Sequence, residues 1–384
     1  MPRRHAAWIA LFLTLACIGV AFFSVPTPKK AEDIPLRRAL ARVVATDDSR
    51  VKQLGLVRTE FQIVKLRLLS GPHRGFEGDA VNYLHGKLDF DDFYRPGQLI
   101  LAEYGNASAL PTDLRTRGIL RVQWQLALTL LFGLLLLCLA GWTGFNALLS
   151  FIFSALVLWR IFFPLLLRGW SPLETGLGIT ALLTGMITFA IGGFNRRGCV
   201  AFCGTMLGLG TTCVMAILFT PPFHVNGAVR PFAETLLYSG YAHLDLTRIF
   251  IASIFVASSG AVMDLAMDIA TAMHEIKEQH PAITLREHIR SGLRVGRAVI
   301  GTMTTTLLLA YSGSHITMFM LFIARGLPLM AILNTPLLAA EMLTTLVGSF
   351  GLVTVAPFTA LVAGLVYHQR DTKAKASSAL NVAC

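Results

Sequence analysis

Two rhythms of polar and apolar residues divide this chain. Beyond Arg121, long apolar runs follow one another at about 124–142, 146–167, 173–193, 199–219, 247–271, 297–321 and 341–367. Each is close to the roughly 20 residues that a helix needs to cross the bilayer core, so each predicts a transmembrane helix. An eighth run, from Ala6 to Val25, follows the basic start "MPRRH". A secretory signal has a shorter apolar core and a small-residue cleavage site; "FFSVPTP" is a poor one, so residues 1–25 are expected to remain as an anchor. The intervening block, 26–123, alternates with period two, as in "EFQIVKLRLL" (60–69), and its turns carry glycine and proline, as in "SGPHRG" (70–75) and "RPGQLILAEY" (95–104). Those are strand and turn signals. They predict a small β-barrel-like domain of five or six strands, of the OB or SH3-like type. The fold class is therefore an α-helical polytopic membrane protein: an anchor (1–25), a β-rich domain (26–123), a helical membrane domain (124–367) and a C-terminal tail (368–384).

Eight spans are expected, and nine are possible. The ninth candidate, "SHITMFMLFIARGLPLMAILNTP" (314–336), is apolar enough, but Arg325, Gly326 and Pro328 stand near its middle. An arginine there costs at least a few kcal/mol, so part of the segment is expected to be broken or re-entrant. "GTMLG" (204–208) offers a small face for close helix packing. Before the sixth run of the helical part, Thr284 and Glu287 match a capping box and Pro281 stops the preceding helix. Residues 285–296 are accordingly expected to form a short amphipathic helix at the membrane surface, its arginines toward lipid headgroups or a docking partner.

Composition settles the class. The chain of 384 residues is 54% hydrophobic and only 14% charged, against about a quarter charged in soluble domains, and its mean hydropathy is +0.62. The formal charge of +11 does not point to nucleic acid, because the basic residues lie in short loops and termini. Arg3 and Arg4, Arg196 and Arg197, and the stretch with Lys277, Arg286, Arg290, Arg294 and Arg297 all fall on one side if the N-terminus is cytoplasmic, as the positive-inside rule requires. That places the β-domain on the extracytoplasmic side of the membrane. Five of the six cysteines lie in apolar stretches and the sixth is the last residue, so no disulfide framework is implied.

One stretch breaks the apolar pattern. "GAVMDLAMDIATAMHEI" (260–276) puts Asp264 and Asp268 one turn apart on one helix face. Counting from Arg248 as one membrane edge, a core of about 30 Å ends near residue 268. Asp264 is then about a turn inside it and Asp268 is at the boundary. Insertion of an aspartate at midspan costs about 2.5–3.5 kcal/mol, so this face must look into protein or a wet cavity. Such carboxylates can load and release a proton or a small cation. The competing reading ties Asp264 to Arg160, Arg297 or hydroxyls, merely fixing helix packing. In "GTMTTTLLLAY" (301–311), Thr302, Thr304, Thr305 and Thr306 either complete a site or bond back to their own helix. Glu341 opens the last span as a charge near the helix start or as a gate. The relay candidates are thus Asp264, Asp268, Thr305 and Glu341. His224, Glu234, His243 and Asp245 share a loop, but their spacing matches no zinc signature; no metal and no cofactor are implied. Without a P-loop, GxSxG, HExxH or CxxC, no enzyme is expected.

"SGPHRG", "GFNRRG", "GAVMDLAMDIATAMHEI", "SGLRVGRAVIGTMTTTLLLAYSGS" and "LVGSFGLVTVAPFTALVAG", in that order from about residue 60 to 366, together resemble the YibE/F-like family of bacterial multi-pass membrane proteins. The resemblance implies an integral membrane protein and names no substrate. In the family pattern GAVMD is followed by small and hydroxyl residues, often serine where Asp268 stands here, with asparagine where Thr305 stands. Asp264 matches; Asp268 and Thr305 depart, which shifts the weight to Asp264. The order of intramembrane aspartate, charged stretch and threonine-rich helix is also similar to the core of RND-type exporters and SecD/SecF proteins, where the aspartate serves proton coupling. The expectation is a permease or exporter, proton-coupled through Asp264 and acting on an unknown solute or ion. The alternative is a non-transporting scaffold or regulator that meets an envelope protein through residues 26–123.

Overall fold

The computed structural model describes residues 3–23, 25–26, 36–105 and 112–382, with side chains described for 10–23, 25–26, 37–105 and 113–368. It comprises two compact units, one of Lys29–Leu135 and one of Met1–Pro28 with Leu136–Cys384.

The first unit is built on strands β1 (Leu36–Asp47), β2 (Val51–Leu54), β3 (Val57–Leu68), β4 (Glu77–His85), β5 (Leu99–Gly105) and β6 (Thr112–Ile119). Period-two patterning does its work in β3, where Gln62, Val64, Leu66 and Leu68 are fully buried and the residues between them are not. β1 pairs antiparallel with β3 on one side and β5 on the other; β4 joins β3, β6 joins β5, and a single parallel bridge, Val81 to Arg115, closes the ring. The result is a five-strand barrel with a loose seam, the partly open OB arrangement rather than the SH3-like one. β2 stands outside the ring as a hairpin on β3, turned at Gly55 with φ +62°. Val43, Leu66, Ala80, Ile100 and Ala102 fill the interior. One polar residue stands among them: Gln62 donates to Asp48 and to the Tyr94 carbonyl, and accepts from the Tyr94 N–H and the Asn82 amide. With all its bonds made, this buried amide pins the 88–95 stretch to the barrel. The same stretch is tied to the end of β6, since Asp92 accepts from the Ile119 N–H and from Arg121.

The second unit is helical. α1 (Arg3–Phe22) is the predicted anchor helix; its Leu13 and Cys17 are buried. α2 (Val122–Val157) continues through a π-helical turn at Leu158–Phe162 into α3 (Phe163–Leu167). α4 (Pro172–Gly192), α5 (Arg196–Phe219), the short α6 (Ala233–Tyr238), α7 (Leu246–Gln279), α8 (Leu285–Ser314), α9 (Ile316–Ala324), α10 (Leu329–Leu333) and α11 (Pro336–Val382) follow. The centre is a bundle of α5, α7, α8 and α11. Its tightest seam vindicates the "GTMLG" reading: a Cβ on Gly204 would strike Thr359, and one on Gly208 would strike Val355 and Val262. Leu209, Leu265, Ile269, Leu352 and Val355 pack around that seam.

Five helices are long and apolar enough to cross a membrane, or six if the bent pair α8 and α9 counts as one span. The expected eight is therefore not reached by length and composition, and two local features explain the shortfall. The predicted runs 124–142 and 146–167 count once in that total, as Val122–Leu167, although two helices meet there across a kink at Gly141 (φ 53°, ψ −127°). The bend is so sharp that a Cβ on Gly144 would collide with the Leu136 carbonyl, whereas eight residues of straight helix separate groups by about 12 Å. Of the anchor, only Ala10–Phe22 enters as a shorter apolar helix among the described residues.

One further expectation changes and one holds. Residues 285–296 do not form a separate surface helix. The capping box at Thr284 and Glu287 is present, but the helix it starts runs unbroken to Ser314 and buries His288, Gly292 and Gly296 against α7 and α11. Small residues at four-residue spacing let it dock instead of floating. The segment 314–336 is broken: α9 departs from α8 by 66°, and Arg325, Gly326 (φ +63°) and Pro328 separate it from α10.

Candidate functional site

Asp245 caps α7 by accepting from the Arg248 N–H, and the helix then runs 34 residues to Gln279. Its buried side carries Phe255, Val262, Leu265, Ile269 and Met273. Helical periodicity sends Asp264 and Asp268 to the opposite, exposed side. Neither carboxylate has a hydrogen-bond or ion-pair partner among the described residues. Arg160 and Arg297, the cations proposed to clamp Asp264, do not pair with it. Arg160 belongs to the π-helical turn, where its carbonyl accepts from Val25, and Arg297 is exposed on α8. The threonines of α8 are also accounted for. Thr305 donates to the Gly301 carbonyl, and Thr302, Thr304 and Thr306 likewise bond back to their own helix. Thr305 is therefore on the exposed side of the neighbouring helix with its hydroxyl proton already committed.

Glu341 is in the opposite condition. It is buried near the start of α11, 8% exposed at its side chain, with Arg230 at 2.5 Å and the His315 ring at 3.3 Å. Arg230 also donates to Thr344 at 3.1 Å and lies over the Phe250 ring. The other ring nitrogen of His315 faces the Tyr311 carbonyl at 3.1 Å. The same nitrogen also meets the Ser314 hydroxyl at 2.9 Å. The cluster forms one wall of a cavity of about 570 Å³, which Tyr311, Ser253 and Ala257 also line. Ala257 begins the exposed strip of α7 that continues through Gly260 to Asp264 and Asp268. The α7 face that carries the unpaired acids thus begins at the cavity that Glu341 of α11 lines.

Glu341 was legible as a candidate, but its partners were not. Arg230 and His315 are separated from it by 111 and 26 residues and belong to no motif; the only hint was an arginine just before Pro231 in an otherwise apolar neighbourhood. Of the loop residues, His243 faces the Leu167 carbonyl and Asp245 is the helix cap.

A family model described as YibE/F-like protein matches residues 128–369, more than half of the chain, from within α2 to within α11. The chain belongs to the YibE/F-like family. The matched stretch holds Asp264, Asp268, Thr305 and Glu341 and begins after the β-barrel, so "SGPHRG" lies outside it. No curated protein matches, and no solved structure does.

Proposed function

We propose that this YibE/F-like protein is a permease or exporter of a small solute or ion, driven by protons that Asp264 takes up and releases. The observation that carries the reading is a carboxylate within a candidate span that has no cation and no donor to hold it in one charge state. Intramembrane acids without a structural partner are costly and mark proton or ion paths. No catalytic chemistry enters this reading, and no metal or cofactor is called on.

Orientation follows from charge. Arg196, Arg197, Lys277, Arg286 and Arg290 gather at one end of the bundle, where Arg196 reaches the Val366 carbonyl and His368 the Ile283 carbonyl. This end is assigned to the cytoplasm of a bacterial inner membrane, with the N-terminus on the same side and the barrel outside. Counting α1 and both arms about Gly141 as spans brings the total to eight.

A scaffold role has one observation in its favour: Leu54 and Leu56 stand exposed at the tip of the β2–β3 hairpin, 76% and 83% open, as a docking site for an envelope protein would. Asp264→Asn separates the two readings. Proton flux in everted membrane vesicles should vanish while membrane level and fold stay at the wild-type value; unchanged flux, or a wild type that moves no protons, ends the transport reading.

A further inference from the structure

The exposed strip of α7 is unlike the outside of the other long helices. α2, α5 and α11 present large apolar side chains outward, among them Leu128, Leu139, Leu218 and Leu365. Between Leu246 and Gln279 there is not one exposed large hydrophobic residue; the outward positions are Ala257, Gly260, Asp264, Asp268 and Thr271. Lipid tails offer nothing to such a face. Small residues with acids among them are what a helix shows to another helix.

The neighbouring helix supplies the complement. α7 and α8 form an antiparallel hairpin whose register is fixed by two contacts: Gly292 meets Met273, and Gly296 meets Ile269. Each step forward on α7 is a step back on α8, so Asp268 lies level with Arg297, and Asp264 lies level with Gly301. Asp268 and Arg297 are both exposed and have no ion-pair partner among the described residues. A two-fold axis along the membrane normal brings together residues of equal depth. It therefore sets each Asp268 against Arg297 of the other copy, the self-complementary contact of an isologous interface. Gly260 and Gly301, where an added Cβ would meet open space, let the helices approach closely.

We infer that the protein is a homodimer in which the α7 and α8 faces of two copies pack together, pairing Asp268 of each with Arg297 of the other. The dimer covers both Asp264 side chains at one level beside the axis. It does not depend on the transport reading, since a scaffold would need the same cover.

The test uses full-length protein in native membranes, with the six natural cysteines replaced. Oxidation should double the mass of Gly260→Cys on a gel, and of co-expressed Asp268→Cys with Arg297→Cys, while Leu218→Cys on α5 stays monomeric. Equal cross-linking at Leu218, or cross-links from α7 to a different protein, overturns the proposal. A second measurement guards against variants that fold poorly: the mass of the wild-type protein extracted with its own lipid should be that of two chains, and a single chain refutes the dimer. Asp268→Arg alone should lose the dimer and Asp268→Arg with Arg297→Asp should regain it; a double reversal that reaches the membrane yet remains monomeric removes the specific pairing. A wild type that dimerises yet moves no protons would strike only the transport reading.

Discussion

Glu341 and Asp264 are both acids in the helical unit, and the chain treats them in opposite ways. Glu341 is buried with an arginine and a histidine arranged around it; Asp264 is left on an open face with no partner. A buried ion pair fixes geometry, because each charge removed from water is compensated only while the other stays in place. An unpaired acid fixes nothing and is free to change its charge. The comparison teaches that position in a span does not by itself make a carboxylate functional; the company it keeps decides.

The comparison breaks most readily at the paired site. Arg230→Ala should cost about 3 kcal/mol or more, by stranding Glu341 among apolar neighbours, and should appear as a large fall in the thermal midpoint of the purified protein. Glu341→Gln with Arg230→Ala should recover much of that loss. If the single variant melts like the wild type, Glu341 is not clamped and the contrast disappears. In the barrel, Gln62→Leu should cost on the order of 2–4 kcal/mol, because it strands the Tyr94 N–H and carbonyl in the interior; denaturant unfolding of the full chain, followed by a barrel probe, reads it.

At the unpaired site the stability effect should be much smaller. Asp264→Asn should leave the midpoint unchanged or raise it slightly while proton flux is lost. A strong destabilisation instead would mean that Asp264 has a structural mate. Asp268→Ser, toward the family pattern, should retain flux and weaken only the dimer contact.

The smallest effect is expected in the barrel and concerns a third kind of carboxylate, one held by hydrogen bonds. Burial pushes the Asp91 carboxyl up, but hydrogen bonds from the backbone of His85, Lys87 and Gly86 and from the His85 ring outweigh it and hold it below its ordinary value. A depressed acid stabilises the fold above its unfolded pKa, and that contribution is lost as pH falls through the folded one. Barrel stability should therefore decline below about pH 4, and Asp91→Asn should flatten the decline. A wild-type slope in that variant would show that Asp91 is not the group responsible.

Much of this was readable along the chain. Period-two runs became β3 and β5, the capping box starts α8, the small face at Gly204 and Gly208 became the α5–α11 seam, and Arg325 and Pro328 broke the 314–336 segment. What was misread was a junction: the reading of 285–296 as a surface helix missed that Gly292 and Gly296 continue a packing face. Hydrophobicity reports how much apolar surface a segment has, and it does not report which neighbour covers it.

The sequence by itself determined the membrane class, the place of the barrel and the two acids on one face of a helix, because chain periodicity and spacing are local quantities that each segment carries alone. Only the tertiary structure decided that Glu341 would meet Arg230 and His315 while Asp264 would meet no cation among the described residues. Ion pairing depends on which distant side chains the packing of α5, α7, α8 and α11 brings within a few ångströms, and no local pattern encodes that distance.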